Sequence, residues 1–338
     1  MKQIPIALSV AVALLVALVL LAGGCKKSST KPPAPPPPPA WTAGTDVYIA
    51  GQDSGRAVYW KNGQETVLAA NGNATGISLS GTDVYVSGEV VSGLQQTAVY
   101  WKNGVQVNLT TTGTATTYQP VVAGGNVYVP GYLEVPSPQD YIAVYWKNGV
   151  RIVLDTSVPA MAMGLAVLDT DVYVIGYVFP RSYGGWDTAV VWKNGVQQSS
   201  PYSVNGGSFN QILTYGPNVY FVGINGYFVN NGSYSILPGA SATTAMTFAG
   251  QDVYVAGKWL DSLDRQHAAY WKNGVMTALP DYKNSTESVT SGIVVAGTDV
   301  YVIGTTVLHG VYAGIYWKNG VEETLTGLGV LNGAMLGN

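Results

Sequence analysis

The chain has 338 residues, 47% of them hydrophobic and only 10% charged, with 42 Gly and 23 Tyr but 5 Phe, a mixture that favours strands and turns over helices. The formal net charge is −3, and beyond residue 39 there are 12 Lys and Arg against 19 Asp and Glu, which excludes the basic footprint of a nucleic-acid binder. The one Cys, Cys25, excludes an intramolecular disulfide and a Cys-ligated zinc site.

Residues 1–24 read as an export signal, with Lys2 as the positive start and an apolar run from Ile4 to Ala22. The run ends in "AGGC", Ala22 to Cys25, small residues directly before the lone Cys. These residues resemble the lipobox of bacterial lipoproteins, although Ala22 stands where a larger aliphatic residue is usual. The resemblance implies lipidation of Cys25, which becomes the mature N-terminus and holds the protein on a membrane. Lys26 after the Cys, where Asp would retain a lipoprotein of the enteric type, implies outer-membrane sorting within a bacterial envelope. An uncleaved membrane anchor is the competing reading, because the apolar run is nearly long enough to span a bilayer. Residues 25–40 then form a Lys/Ser/Pro-rich stalk. Polyproline II rises ~3.1 Å per residue, so Pro32 to Pro39 make a stiff spacer of roughly 25 Å.

Residues 41–338 are repetitive. "DVYVxG"-like phrases end at Gly51, Gly88, Gly131, Gly176, Gly223, Gly257 and Gly304. Each is followed by a relative of "AVYWKNG", starting at Ala57, Ala98, Ala143, Ala189, Gly226, Ala268 and Gly314, with Val229 replacing Trp in the fifth copy. Seven units of this length match the ~40–45 residues of a β-propeller blade. The expected fold is therefore all-β, a seven-bladed propeller of four-stranded antiparallel blades. Within a unit, "ISLSG" is strand a, "VYVSGEV" strand b, "TAVYW" strand c and "VQVNL" strand d. The Asn-Gly between c and d is a type I′ hairpin signal. The Asp or Asn before each "VY" is expected to bond its own backbone and fix the a–b turn. Strands b and c are apolar on both faces, as needed where each blade is covered on both sides, so the repeated Tyr and Trp are read as inter-blade core. "GAMLGN", Gly333 to Asn338, aligns with strand a and is expected to complete the first blade. Pro130 lies in strand b of the third unit, where a bulge is expected because proline removes a ladder donor.

The alternation of "DVYVxG" with "AVYWKNG" resembles tandem propeller repeats in uncharacterised bacterial lipoproteins and secreted proteins, over nearly all of residues 41–338. The resemblance implies a fold and no activity. Function is read from the loops instead. The a–b and c–d turns lie on one face and are short and uniform, whereas the b–c and d–a loops lie on the other and vary widely, and variable loops on a rigid scaffold carry binding. The residues that break the repeat there are Tyr132, Tyr141, Arg181, Tyr183, Trp186, Asp187, Trp259, Asp261, Arg265, His267 and His309, the candidate ligand-binding set. Aromatic faces beside carboxylates and Arg suit sugars, so the expectation is non-catalytic recognition of a glycan or an envelope protein by a monomer. An extracytoplasmic glycan hydrolase or lyase on the same face is the alternative, marked by a paired-carboxylate or metal pocket near the axis. A scaffold for an envelope complex is the third reading. His267 and His309 have no metal-ligand spacing, and no cofactor, metal or catalytic residue is assigned.

Overall fold

The computed structural model describes residues 46–338 apart from 112, 137–139, 156–157, 180–187, 199–203, 206–208, 224–225, 232, 282–287, 309–310, 325–328 and 338. These residues contain no helix and form seven antiparallel sheets, the seven blades. The second blade shows the plan: strands a to d are Gly72–Ser80, Asp83–Ser92, Gln95–Lys102 and Val105–Asn108, paired in chain order. The first blade closes the ring. Its strand b, Asp46–Asp53, pairs on one side with Arg56–Lys61 and on the other with Gly329–Gly337 from the C-terminus. The closing strand is thus longer than the Gly333–Asn338 segment that the repeat alone defines.

One apolar cluster fills each of the seven seams between neighbouring blades. Between the first two blades, Tyr48, Ala50 and Ala57 meet Ala74, Ile77, Val86, Val99 and Trp101. Alternation within "AVYW" serves both seams at once: Val58 and Trp60 join the cluster on the seventh-blade side, while Ala57 and Tyr59 face the second blade. Trp101, Trp146, Trp192, Trp271 and Trp317 are fully buried. The Gly after each "VYV" makes room for this packing. A Cβ on Gly88 would sit 2.1 Å from the Asn73 carbonyl oxygen and 2.9 Å from the Trp101 ring.

The "WKNG" phrase has a further reason to recur. Asn103 opens the c–d turn at φ 50° with Gly104 at 82°, the conformation a type I′ turn requires. From there its backbone N–H donates to the Val84 carbonyl (2.8 Å), and its side-chain oxygen accepts from the Val84 N–H (2.8 Å). The same side-chain clasp, at 2.8–3.0 Å, joins Asn62, Asn148, Asn194, Asn231, Asn273 and Asn319 to the Val that is the second residue of each strand b. Each Asn amide also donates to the Asp or Asn before that Val, as Asn103 does to Asp83 at 2.7 Å. In five blades the adjacent Lys pairs with the Asp at 2.6–2.9 Å. Six Lys lie 5.2–5.4 Å over the Tyr of "VYV". The Lys ammonium first, and then the Asn amide, hold Asp46, Asp83, Asp171 and Asp252 below the usual carboxylate range. The Asp thus has partners well beyond its own turn. It is one end of a clasp that ties the a–b turn to the c–d turn.

The bulge expected at Pro130 is present, in the strand that pairs with it. Strands b and c of the third blade pair without a register shift from Tyr128↔Lys147 to Glu134↔Tyr141. The irregularity is in strand a, split into Thr114–Thr117 and Val121–Ala123. The Pro130 carbonyl accepts from the Tyr118 N–H (2.9 Å), so the proline nitrogen faces an interrupted stretch of ladder that needs no donor. Every inner strand carries such an extra residue. Register shifts single out Thr75, Met163, Asn210, Thr244, Ser291 and Asn332, and Tyr118 takes the same place in the third blade. These bulges form a girdle around the axis. Several bond to the next blade: Thr75 to Thr117 (3.0 Å), Asn210 to the Thr243 carbonyl (2.7 Å), and Thr244 to Thr290 (2.7 Å).

Candidate functional site

On the variable-loop face the described residues form two separate groups. The first is an aromatic ledge across blades three and four. Tyr132 and Tyr177 hold the same position, directly after the blade Gly, in adjacent blades. Tyr118 lies 6.5 Å from Tyr132 between ring centroids, Tyr132 packs edge-on against Tyr141 at 5.4 Å, Tyr141 lies 5.8 Å from Phe179, and Phe179 packs edge-on against Tyr177 at 4.9 Å. All five residues are partly buried, Tyr118 most deeply. Tyr132 and Tyr141 of the candidate set are thus brought together. Tyr118, Tyr177 and Phe179 were missed, although an aromatic at the girdle position, where six other blades carry Thr, Met, Asn or Ser, is a legible departure from the repeat.

Glu89 closes the inner end of this ledge. It follows Gly88 in strand b of the second blade and is only 4% exposed. One carboxyl oxygen accepts from the Thr117 N–H (2.8 Å) and from the Thr117 hydroxyl (3.3 Å) across the seam. At the equivalent place in the seventh blade, the Thr305 hydroxyl accepts from the Leu331 N–H of the first blade (3.4 Å). A neutral hydroxyl therefore serves the same end, and the carboxyl of Glu89 is not needed for its charge. Burial pushes its pKa up to about 7, against the lowering effect of the two Thr117 bonds. Burial likewise raises the pKa of the neighbouring Tyr118 and Tyr132 phenols, and Glu89 adds to both shifts.

The second group is in the sixth blade, where Trp259, Asp261, Arg265 and His267 come together. Asp261 accepts from the Leu263 and Arg265 N–H groups (2.8 and 3.0 Å) and pairs with the Arg265 guanidinium (2.6 Å), which holds its carboxyl far below the usual range. His267 lies against the Trp259 ring at 5.0 Å. Its Nε2 faces Asp261 (3.2 Å) and its Nδ1 faces Asp281 (2.9 Å). Both ring nitrogens and the Arg265 charge are spent within the loop, so this group is a clamp that ties the b–c loop to the segment after strand d. Among the described residues no cluster of His, Cys, Asp and Glu is arranged to hold a metal. Arg181, Tyr183, Trp186, Asp187 and His309, together with the Cys25 lipidation site, the signal and the stalk, lie outside the described residues.

No protein-family model and no curated protein matches this chain. Solved structures do. A puromycin-hydrolyzing peptidase of Mycobacterium tuberculosis is 13% identical with a TM-score of 0.54, over 84% of this chain and 52% of that one. A crystal structure of a puromycin hydrolase is also 13% identical, with a TM-score of 0.50 over 85% of this chain and 52% of the other. The likeness is one of fold. This chain spans about half the length of each. Along the axis, where the glycan-hydrolase reading places a carboxylate pair, the described cavity wall holds no Asp, Glu, His, Lys or Arg.

Proposed function

We propose that this protein is a lipid-anchored component of the bacterial envelope that binds a glycan, without catalysis, on the variable-loop face of its propeller. The observation that carries the reading is the ledge of Tyr118, Tyr132, Tyr141, Phe179 and Tyr177. Partly exposed aromatic residues offer apolar surface to the C–H faces of sugar rings. The charges of the sixth-blade group are paired internally, which leaves the ledge as the better recognition surface. Support for the anchor comes from the Ala22–Cys25 "AGGC" stretch and the Pro-rich stalk, and from the resemblance of the repeats to those of bacterial lipoproteins.

The test is a glycan array probed with the full chain, followed by calorimetry of any hit on wild type and on Tyr132→Ala/Tyr141→Ala. Loss of about tenfold or more in affinity, with an unchanged circular dichroism spectrum, supports the reading. Undiminished binding in the double variant refutes the ledge as the site. A blank array, with capture of an envelope protein that the double variant still binds, replaces the glycan reading by the scaffold one.

A further inference from the structure

The half of the axial channel between the bulge girdle and the short-turn face encloses a cavity of about 480 Å³. Its wall runs from the girdle residues, with Tyr118 at the inner end of the ledge among them, to Val167, Thr214, Thr247 and Met335, close to the a–b turns, and it includes neither Tyr132 nor Tyr141. The volume lies within the range of small-molecule sites. The described wall has no charged side chain, and an ionic ligand would lose its hydration there without gaining a counter-charge.

The polar groups on that wall are held in fixed orientations. Asn332 uses its amide N–H groups on the Asn73 side-chain oxygen (2.9 Å) and the Ala74 carbonyl (2.8 Å), and Asn210 uses its own on the Thr243 carbonyl. Each therefore keeps its Oδ1 as an acceptor. Gln211 is held the opposite way, its oxygen taken by the Met246 N–H, so its NH₂ remains as a donor. Fixed acceptors, one fixed donor and apolar wall from Met163 and Met335 together match a molecule with several O–H groups and C–H faces. We infer that the axial cavity is a second ligand site, for a small uncharged polyol of monosaccharide size.

The experiment is isothermal titration of the full chain, purified in a sugar-free detergent, with glucose, N-acetylglucosamine and myo-inositol, and with glucuronate and glucosamine as charged controls. At least one neutral polyol is expected to bind and the charged controls are not. Asn210→Leu, which removes an acceptor and fills space, should abolish the signal. Asn210→Ala, which removes only the amide and covers the case of a leucine variant that does not fold, should weaken it about fivefold. Tyr132→Ala/Tyr141→Ala should leave it unchanged. The inference is overturned if no neutral polyol binds, if the charged controls bind as well, if Asn210→Ala binds like wild type, or if the ledge variant loses the signal instead.

Discussion

Glu89→Gln is expected to make the propeller more stable at neutral pH and to remove a pH dependence that the wild type carries. In the folded protein the Glu89 carboxyl is raised from an ordinary 4.5 to about 7 by burial, so between these values the native state holds a proton that the unfolded chain has released. Its contribution is therefore fully present below about pH 4.5, is lost as pH rises through about 7, and is flat above that. One pKa unit corresponds to about 1.4 kcal/mol, so the drop over this window is on the order of 3 kcal/mol. Gln at this position keeps an oxygen to accept from the Thr117 N–H and hydroxyl and never ionises. Its advantage over wild type should be on the order of 3 kcal/mol at pH 8 and close to nothing at pH 4.5. Urea unfolding followed by Trp fluorescence at steps between pH 4 and pH 8 reads this directly, because the other titrating groups cancel in the difference between the two proteins. Equal pH slopes, or a Gln variant weaker than wild type at pH 8, would show that Glu89 is ionised in the folded protein, and would refute the burial argument.

Three further outcomes follow from the same geometry. Asn103→Ala breaks the clasp to Val84 and Asp83 and puts a poor residue at φ 50°; a loss of about 1–3 kcal/mol is expected in thermal unfolding, and a smaller one for Asn103→Gly, which tolerates the turn. Removal of residues 329–338 strips strand a from the first blade and Leu331 from its seam, so cooperative unfolding should be lost in calorimetry; a sharp transition at the wild-type temperature would contradict ring closure. His267→Ala releases the contact between Asp261 and Asp281, and hydrogen exchange should quicken in residues 260–267 while glycan binding at the ledge is unchanged.

Much of the scaffold could be read from the chain because a blade cannot bury its faces alone, and the repeated apolar phrases record that need seven times. The Asn-Gly turns were equally legible, since the positive φ they require leaves a local signature. The role of Asp83 was not, because its partner Asn103 is 20 residues away and a local reading sees only the Asp's own turn. The bulges were hidden for a related reason. One extra residue in "ATGIS" or "TYQPVV" becomes visible only against the strand it pairs with, and Pro130, through the donor it lacks, was the one local hint. On the loop face, Tyr132, Tyr141, Trp259, Asp261, Arg265 and His267 were found because they break the repeat. Glu89 was not, since a Glu in a strand reads as solvated until the neighbouring blade covers it. Asp281 escaped because it follows strand d, whereas its partner His267 begins strand c.

Hydrogen exchange of the full chain, with and without a glycan that it binds, is the most direct measurement of where recognition occurs. Recognition at the ledge predicts slowed exchange around residues 118, 132–142 and 177–179, with the clasp turns at 62–63, 103–104 and 148–149 unaffected. Slowing at those turns, with the ledge unchanged, would place the binding surface on the opposite face and contradict the proposed function.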